Sequence, residues 1–433
     1  MKQAMTVKNA CDSVWDVVVI GGGPSGMMAA GRAAARGAKV LLIEKNSILG
    51  KKLLITGGGR CNVTNAELDT RKFLDKFKEN NKYLFSAFSQ WGVKETLDFF
   101  HGFSMNTKEE AERRVFPESN KAESVWKVLV KYIEQGGVTV LSDTEVAGFI
   151  TKEKNITAIH LKSGKEINAG AFVLATGGKS HPETGSTGEG FEWLTSIGHT
   201  ITEPSTSLVP ITIRDEWVKK LKGVTLQNIK ISLFQNEVKQ SSAMGKILFT
   251  HFGVSGPTIL NMSSEVRELM KYGKVTISLD ILPTDDHGTL NKRLQDVFKE
   301  HSNKKFKNSL STIIPSALCP IIIEQSGINA EKWSNSVTRE ERLKLISLLK
   351  NIPLQVKGLL GADKAIVTSG GVELREVDFK TMSSRIFPNL YLVGDVLDID
   401  RPSGGYSLQL CWTTGFVAGN SIPLKNYLTS LKT

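Results

Sequence analysis

The sequence predicts an α/β protein in which a parallel-sheet domain is interrupted by an inserted module of mainly antiparallel strands. Three observations support this prediction. Strand, glycine-rich turn, small-residue helix and second strand follow one another over residues 16–44, which is a βαβ unit. Alternating strands follow Gly198, which is typical of an antiparallel or barrel-like module. Strand, loop and helix return over residues 390–420, so the first domain is predicted to be split.

The opening unit carries a GxGxxG motif at Gly21, Gly23 and Gly26. In such a motif the first glycine makes the tight turn, the second lets the backbone approach a diphosphate, and the third lets helix and strand pack closely. The N-terminus of the helix over residues 27–36 offers free N–H groups and a partial positive charge to phosphates. Glu44 ends the next strand, about 20 residues on, where a carboxylate suits a ribose hydroxyl and disfavours NADP. These features predict a Rossmann-type domain.

The rest of this domain is predicted from shorter patterns. Residues 50–65 are expected to form a glycine-rich loop, and residues 70–102 and 121–135 to be helical. The turn Ser163–Gly164 predicts a hairpin. Short strands are predicted at Val138–Leu141, Ile156–Leu161 and Ala171–Ala175.

The inserted module is predicted to contain strands and a helical segment over residues 285–350. The predicted strands are Leu208–Ile213, Ile229–Phe234, Lys246–Phe252, Val275–Ile281, Leu354–Leu360 and Lys364–Thr368. The domain prediction is residues 1–202 with 376–433 for the dinucleotide domain, 203–284 with 352–375 for a β-rich substrate domain, and 285–351 for a helical domain.

Composition limits the classes of protein. A chain of 433 residues with 40% hydrophobic residues is expected to fold into two or three domains. The net charge of +11 predicts solubility and attraction to anions, but the densest basic run, Lys304–Lys307, is short, so no nucleic-acid partner is expected. The four cysteines form no CxxC pair and no metal site is predicted. No leader or membrane-length apolar run is seen, so a cytoplasmic protein is expected, and the oligomeric state is left open.

Three further glycine-rich segments favour FAD over NAD. They are Thr56-Gly-Gly-Gly-Arg-Cys-Asn62, Ala175-Thr-Gly-Gly178 and Leu392-Val-Gly-Asp395. Several crossings of bare backbone suit a long, extended ligand, and Asp395 ends a strand where its carboxylate can bond ribitol hydroxyls. The sequence therefore predicts FAD as the bound cofactor.

Five segments together resemble a bacterial family of three-domain flavoproteins, described as aminoacetone-oxidase-like or BaiN-like NAD(P)/FAD-dependent oxidoreductases. The resemblance covers about residues 14–421. It implies FAD, an inserted barrel-like substrate domain and a further helical domain. Two positions depart from it, since Glu189 stands where related proteins often have Asp, and Arg401 where a small or apolar residue is common. The segments are Thr56–Asn65, Arg114–Pro117, Gly177–Gly190, Leu248–Pro257 and Gly394–Tyr406.

The predicted cofactor-binding residues lie in these glycine-rich segments and beside Glu44. They are Gly21, Gly23, Pro24, Ser25, Gly26, Glu44, Lys45, Lys52, Gly58, Gly59, Arg60, Cys61, Asn62, Thr176, Gly177, Gly394, Asp395, Gly404, Gly405 and Tyr406. For Arg60 and Asn62 a loop-bracing role is an open alternative. Cys61 and Cys411 are interpreted as packed small residues rather than redox thiols.

Four side chains are candidates for catalysis: Arg60, Arg114, His251 and Tyr406. Arg114 suits an anionic substrate and Tyr406 a proton relay, whereas Arg114 alternatively forms a surface ion pair. His251 precedes a strand-to-helix turn with Pro257 at the first helical position, and it is either a proton donor or part of a structural turn.

The helix predicted over Ser407–Gly419 points its N-terminus at the segment Ser403–Tyr406. A helix N-terminus stabilises the negative charge that a reduced flavin carries near N1 and its C2 carbonyl. The small residues Gly415, Ala418 and Gly419 are expected to let this helix pack against residues 27–36.

Three functions remain open from the sequence. The first is a reductase in which NAD(P)H supplies electrons through FAD to a conjugated small molecule. The second is an oxidase of amines or aminoketones that uses oxygen. The third is a non-catalytic, flavin-containing RNA-binding protein. The chain has no second GxGxxG unit, so NAD(P)H is expected to bind only transiently as electron donor.

Overall fold

The computed structural model describes residues 6–360 and 367–424, and the chain packs as two compact units. The first unit comprises Met1–Ser207 and Ala365–Thr433, and the second comprises Leu208–Lys364. The first unit is therefore split by the second. The predicted three-domain division is finer than these two units and stays a prediction. The predicted strand Lys364–Thr368 begins outside the described residues.

The first unit contains eight helices and ten strands before the chain enters the second unit, counted over the described residues. The helices are α1 Val7–Cys11, α2 Pro24–Ala35, α3 Lys51–Ile55, α4 Thr70–Leu74, α5 Asn81–Phe88, α6 Val93–Gly102, α7 Ala122–Gln135 and α8 Glu189–Ser196. The strands are β1 Trp15–Ile20, β2 Val40–Ile43, β3 Thr64–Asn65, β4 Thr107–Glu110, β5 Arg114–Pro117, β6 Thr139–Leu141, β7 Val146–Lys152, β8 Asn155–Leu161, β9 Glu166–Leu174 and β10 Ile201–Ser207.

The second unit alternates strands and helices, and the chain then returns to the first unit. In the second unit lie β11 Ile211–Ile213, α9 Trp217–Lys220, β12 Thr225–Gln235, β13 Val238–Phe249, β14 Gly253–Ser255, α10 Pro257–Met270, β15 Val275–Asp280, α11 His287–Glu300, α12 Phe306–Leu310, α13 Cys319–Ser326, α14 Arg339–Lys350 and β16 Ile352–Leu359. The returning elements are β17 Val367–Val372, β18 Val377–Asp378, β19 Ser383–Ser384, β20 Leu390–Leu392 and α15 Tyr406–Ser421.

The main sheet of the first unit has parallel strands at its centre. Over the described residues its order is β18-β19-β20-β9-β1-β2-β6, with β8 pairing β9 and β7 pairing β8. Strand β1 runs parallel to both neighbours, so Val17 lies opposite Val40 on one side and Ala171 on the other. Val17, Val18 and Val19 are fully buried, as expected for a central parallel strand whose two faces are covered.

Helices α2 and α15 pack closely against each other, as the small residues predict. A Cβ added at Gly415 would lie 2.4 Å from the Ser25 carbonyl oxygen, and one at Gly419 would lie 2.4 Å from the Ala29 carbonyl oxygen. Both distances are below van der Waals contact, so only glycine permits this approach. The part of α15 around Gly415 and Gly419 is thereby held beside the first two turns of α2.

One local prediction was wrong in detail, since the expected loop over residues 50–65 contains helix α3 and a 3-10 turn at Thr56–Gly59. The helical segments expected over residues 70–102 are present, divided into α4, α5 and α6. The first break is a 3-10 segment, Asp75–Asn80, in which Lys78 has φ of 53°. Helical periodicity alone does not show such breaks.

The second unit contains a closed barrel with the strand order β11-β14-β13-β12-β15-β16. The helices that follow β15 share one hydrophobic core with it, since Ile231 and Ile277 of the barrel belong to the same buried cluster as Leu290, Phe298 and Leu345. The predicted fold class, a Rossmann-type domain with an inserted barrel and helices, is confirmed. Among the described residues, no helix is long and apolar enough to cross a membrane.

Candidate functional site

The turn between β1 and α2 is built on glycine. Gly21 has φ of 103°, and a Cβ there would lie 2.5 Å from the Ala175 carbonyl oxygen. A Cβ at Gly26 would lie 1.9 Å from the Gly21 carbonyl oxygen. A Cβ at Gly23 would instead meet nothing within 4 Å. Gly21 and Gly26 are thus required by packing of the chain itself, whereas Gly23 borders open space at the start of α2.

That open space belongs to a pocket at the carboxyl ends of β1, β2 and β9. Ligands of open α/β sheets bind at this edge. The pocket brings together Gly21, Gly23, Pro24, Ser25, Glu44, Lys45, Lys52, Thr176, Gly177 and Asp395 of the predicted cofactor-binding residues. Outside its lining lie Gly26, Gly58, Gly59, Arg60, Cys61, Asn62, Gly394, Gly404, Gly405 and Tyr406, and their binding roles stay predictions.

Glu44 lines the pocket and is 8% exposed. One carboxylate oxygen accepts the Gly22 amide at 2.8 Å, and the other accepts the backbone amide of Asn46 at 2.8 Å and its side-chain amide at 2.6 Å. A carboxylate has about four acceptor positions, so one remains for a ligand hydroxyl. Glu44 therefore braces the glycine turn as well as facing the pocket.

A chain of ion pairs continues from Lys45. Its ammonium donates to Thr187 at 2.8 Å and to Glu189 at 2.9 Å, and Glu189 also accepts from Lys162 at 3.3 Å. Burial raises the pKa of Glu189, but the hydrogen bonds and charges of the two lysines outweigh it and hold this pKa below its usual value. Glu189 is thus ionised at neutral pH, and a carboxylate at this position is retained despite the departure from Asp.

Asp395 also lines the pocket and lies between two cations. Arg401, whose side chain is fully buried, forms a hydrogen-bonded ion pair with it, and the Lys52 ammonium is 3.5 Å away. Burial raises the pKa of Asp395, yet Arg401 and Lys52 outweigh it and keep the pKa below its ordinary value. Lys52 also donates to Ser180 at 2.6 Å. Arg401 is therefore an internal partner of Asp395 rather than part of the pocket lining.

The pocket fits an extended dinucleotide. The start of α2 presents unsatisfied amides to the open space above Gly23, as phosphates require. The buried Thr176 hydroxyl has no hydrogen-bond partner among the described residues, which suits a polar ligand group. Two carboxylates, Glu44 and Asp395, also line the pocket. The residues therefore suit a ligand that carries both a diphosphate and sugar hydroxyls.

The side chains of the glycine-rich loop after α3 are held by contacts within the protein. Arg60 bonds Glu110 and Asn120 and stacks over Phe116, 4.1 Å from the ring centroid. Cys61 is fully buried, and burial raises its pKa to about 12. The buried Asn62 Oδ1 has no partner among the described residues. In this structure Arg60 has the bracing contacts that the sequence left as an alternative.

Arg114 lies near Gly404, just before α15, and Tyr406 is the first residue of α15. Arg114 pairs with Glu112, and its Nε is buried without a partner in the described part of the chain. The same Nε lies 4.0 Å from the position of a Cβ on Gly404. The Tyr406 ring packs 4.7 Å from that of Phe73, and burial raises its pKa. Arg114 thus has one unsatisfied donor at the N-terminus of α15.

His251 belongs to the second unit and is exposed. Its ring lies edge-on to Phe252, 4.8 Å away. Strand β14 follows, and α10 then begins at Pro257 after Gly256, whose φ is 100°. The predicted strand-to-helix turn with proline at the first helical position is present, with one more short strand than expected. The role of His251 as proton donor stays a prediction.

Sequence reasoning missed much of the pocket lining. The missed polar and aromatic residues are Asn46, Lys51, Thr56, Thr144, Glu145, Thr184, Ser186, Thr187, Glu189, Trp193 and Ser407. Residues 184–189 lie inside a glycine-rich segment that had been noticed only for its resemblance. The signal that could have found them is this second run of glycines after the buried strand β9, because glycine-rich backbone at a strand's carboxyl end borders a ligand.

Comparisons with known proteins agree with this geometry. The family described as HI0933-like protein Rossmann domain matches residues 15–421. The chain is 30% identical over 407 residues to a 3-dehydro-bile acid delta(4,6)-reductase of Clostridium scindens, covering 93% of this chain and 98% of the relative. It is 29% identical over 411 residues to a ribosomal RNA dihydrouridine synthase of Escherichia coli, covering 94% and 98%.

Solved structures share the fold. A 3-ketosteroid-delta4-(5alpha)-dehydrogenase from Rhodococcus jostii in complex with 4-androstene-3,17-dione aligns with a TM-score of 0.52 at 15% identity, covering 98% of this chain and 99% of that one. A flavocytochrome c3 fumarate reductase in an open conformation aligns with a TM-score of 0.54 at 16% identity, covering 96% and 80%.

The sheet, the pocket and these relatives define the class of protein: it is an FAD-dependent oxidoreductase with a Rossmann-type domain. Within that class, the chain belongs to the HI0933-like Rossmann-domain family.

Proposed function

We propose that the protein reduces a carbon–carbon double bond conjugated to a carbonyl group, with NAD(P)H as electron donor and FAD as the bound redox cofactor. The observation that carries this proposal is one pocket lined by both Glu44 and Asp395, with open space beside Gly23 at the start of α2. The relatives' names support the reaction type, because one reduces delta(4,6) bonds of a 3-dehydro bile acid and the other makes dihydrouridine.

The pocket residues divide the binding of FAD among them. The amides at the start of α2 and the Lys52 ammonium would hold the diphosphate. Glu44 would accept from the adenosine ribose with its remaining lone pair, and Asp395 would accept from ribitol hydroxyls. The bound cofactor accepts and delivers a hydride. Arg401 keeps Asp395 ionised and therefore able only to accept hydrogen bonds.

Arg114 is the residue proposed to activate the substrate. Its unsatisfied Nε donor lies at the N-terminus of α15, beside Gly404. A guanidinium donating to the substrate carbonyl withdraws electrons from the conjugated bond and stabilises the enolate oxygen that forms on reduction. A proton must then reach the carbon next to that carbonyl. Tyr406 and His251 remain the predicted donors.

Two classes of substrate satisfy this chemistry. The first is a small conjugated ketone, as the sequence predicts. The second is the uracil ring of an RNA, whose 5,6 double bond is conjugated to a carbonyl. The charge of the chain favours the second, since 55 Lys and Arg residues face 44 Asp and Glu. RNA is then a substrate rather than a passive partner, which differs from the non-catalytic alternative.

The test begins with anaerobic mixing of the yellow protein with NADH or NADPH while flavin absorbance is recorded. Rapid bleaching is expected, followed by recovery of the absorbance when a conjugated 3-keto steroid or a uridine-containing RNA is added. No bleaching with either nucleotide, together with peroxide formation from aminoacetone or other amines, would instead support the oxidase.

Arg114→Ala separates substrate activation from cofactor reduction. Loss of a charged hydrogen bond is expected to raise the activation free energy of flavin reoxidation by the acceptor by about 1.5–3 kcal/mol. The rate at which NAD(P)H bleaches the flavin is expected to stay unchanged. Arg113→Ala is the matched control, because Arg113 is half-exposed and pairs with Glu67 at 2.7 Å. Equal reoxidation rates in the two variants would remove Arg114 from the proposed chemistry.

A further inference from the structure

The positive charge of the chain is concentrated in the second unit. Residues 208–360 contain 22 Lys and Arg against 14 Asp and Glu, so they carry +8 of the total of +11. The FAD pocket lies in the first unit and does not account for this excess. A basic excess confined to one part of a chain is typical of a surface that meets a polyanion.

Within this unit, Lys304, Lys305 and Trp333 form a platform, called here the Lys–Trp platform. The Lys305 ammonium lies over the Trp333 ring, 3.5 Å from its centroid. Trp333 is 48% exposed, and Lys304, which precedes Lys305 in the chain, is exposed as well. About half of the large Trp333 side chain is exposed to solvent, so the unit does not gain the free energy that full burial of this ring would contribute.

The backbone beneath the platform is fixed. Lys305 and Trp333 form an antiparallel bridge, flanked by hydrogen bonds from Ser334 N to Lys304 O at 3.0 Å and from Phe306 N to Lys332 O at 2.8 Å. Phe306 is fully buried below them. The platform is thus preorganised by two chain segments far apart in sequence, and binding requires no folding of a loop.

The charges of the platform are not neutralised. In the described residues, neither Lys304 nor Lys305 has a carboxylate within ion-pair distance. The neighbouring cations differ, since Lys307 pairs with Glu331 and Lys332 pairs with Glu341 at 2.7 Å. The Lys305 ammonium against the exposed indole, and the neighbouring exposed Lys304, therefore differ from the carboxylate-paired lysines around them.

We propose that the Lys–Trp platform docks single-stranded RNA, with a base stacked on the ring face of Trp333 that Lys305 does not cover and phosphates held by Lys304 and Lys305. This combination of exposed aromatic and free cations is how proteins hold single strands, because every base has a face that stacks and every nucleotide brings one charge. The inference rests on the second substrate class of the proposed function and adds a site outside its flavin pocket.

The test measures binding of the FAD-loaded, full-length protein to a fluorescein-labelled oligouridine by fluorescence anisotropy at several salt concentrations. Trp333→Ala is expected to weaken binding at least about fivefold, the lower end for a base that no longer stacks. The double variant K304A/K305A is expected to lower the slope of log Kd against log salt by about 0.7 for each phosphate that the protein no longer neutralises.

Matched controls come from the same unit. Tyr272→Ala removes an aromatic residue that is 76% exposed, and Lys271→Ala removes a lysine paired with Glu268 at 2.8 Å. Both are expected to bind oligouridine as the unmodified protein does. Because Trp333→Ala could perturb folding, the double lysine variant, which leaves the buried core residues unchanged, provides an independent second measurement.

Three results would overturn the platform: no binding of oligouridine by the unmodified protein, equal weakening by the controls, or displacement of the RNA by polyglutamate at equal charge concentration. The last would indicate an acidic protein partner or general anion binding. Flavin bleaching by NAD(P)H is recorded on the same samples. Failure of bleaching with RNA binding intact rejects the reductase, whereas intact bleaching without RNA binding rejects the platform.

Discussion

Gly23 stands at the start of α2, where an added side chain would occupy ligand space rather than protein space. Gly23→Val is therefore expected to fold normally and to lose FAD, because the valine methyl groups would block the diphosphate. The ratio of flavin absorbance to protein absorbance after purification measures this loss. Gly21→Val is the contrasting variant, since its Cβ would strike the Ala175 carbonyl and destabilise the fold itself. A fully yellow Gly23→Val protein would contradict the prediction.

Glu44 has two tasks in the structure, since it accepts both the Gly22 amide and the Asn46 amides. Glu44→Ala is expected to weaken FAD binding by about 1–3 kcal/mol, the range for a buried group left without its partner. Titration of flavin-stripped protein with FAD gives the dissociation constant.

Glu44→Gln is the control for this measurement, because it keeps one acceptor oxygen and the shape of the side chain. It is expected to lose less affinity than Glu44→Ala. An unchanged dissociation constant in both variants would remove Glu44 from the set of FAD-binding residues.

At the level of elements, a buried histidine ties two distant segments of the first unit together. His199 Nδ1 lies 2.9 Å from a Glu376 oxygen, and Nε2 lies 3.0 Å from the Ser384 hydroxyl. That hydroxyl already accepts the amides of Ile386 and Phe387 at 3.0 Å. Its proton therefore points at Nε2, and the neutral His199 donates from Nδ1 to Glu376.

This arrangement predicts a pH-dependent stability. Burial lowers the pKa of His199 below 6.5, and the opposing effect of Glu376 is smaller. Below pH 6.5 the unfolded chain binds a proton that the folded protein does not, so the free energy of unfolding is expected to fall between about pH 7 and pH 5. The fall is limited to about 1.4 kcal/mol per pH unit for one group.

Denaturant unfolding at several pH values measures the slope. His199→Gln is expected to be less stable at pH 7 and to show a shallower pH dependence. His101→Gln, at an exposed position where His101 contacts Thr107, serves as the control. An identical slope in His199→Gln and the unmodified protein would contradict the assignment.

At the level of the whole molecule, the two units have separate hydrophobic cores. The FAD pocket is lined by the first unit alone. A ligand that binds only the folded state stabilises by mass action, by about 2.7 kcal/mol at one hundred times its dissociation constant. Adding FAD to flavin-stripped protein is therefore expected to slow hydrogen exchange in β1, α2 and α15.

The barrel strands β12, β13 and β15 provide the internal reference for that experiment, since none of them lines the pocket. Their exchange rates are expected to stay unchanged. Equal protection of the barrel and the first unit would show that the cofactor stabilises both units, contrary to this expectation.

Much of the fold could be predicted because its signals are local. The strand Asp16–Ile20, the GxGxxG turn and Glu44 lie within thirty consecutive residues of sequence, and each acts through its own backbone or its neighbour's. The same holds for the close packing of α15 against α2, which the small residues Gly415, Ala418 and Gly419 predict. The broken helix over residues 70–102 was not predictable, because the left-handed Lys78 has no compositional signal.

About half of the predicted cofactor-binding residues line the pocket. There is a physical reason why some residues of the site were predicted and others were not. The residues around the glycine turn were found because phosphate binding depends on main-chain amides and so leaves glycines in the sequence. Arg114 was predicted as a candidate for catalysis, but its unsatisfied Nε is seen only in the structure. The pairing of Arg401 with Asp395, six residues away, was not predicted. Arg401 reaches Asp395 with a fully buried side chain, which residue order cannot show.

By itself, then, the sequence determined the Rossmann-type domain, its division by a barrel-like insertion and the dinucleotide character of its ligand. These follow from periodicity and from glycines that permit particular backbone paths. Only the tertiary structure decided which side chains share the pocket, which cations neutralise Asp395, and which lysines remain unpaired beside Trp333. Those properties arise where segments far apart along the chain are brought within a few ångströms, and charge and burial act over that distance.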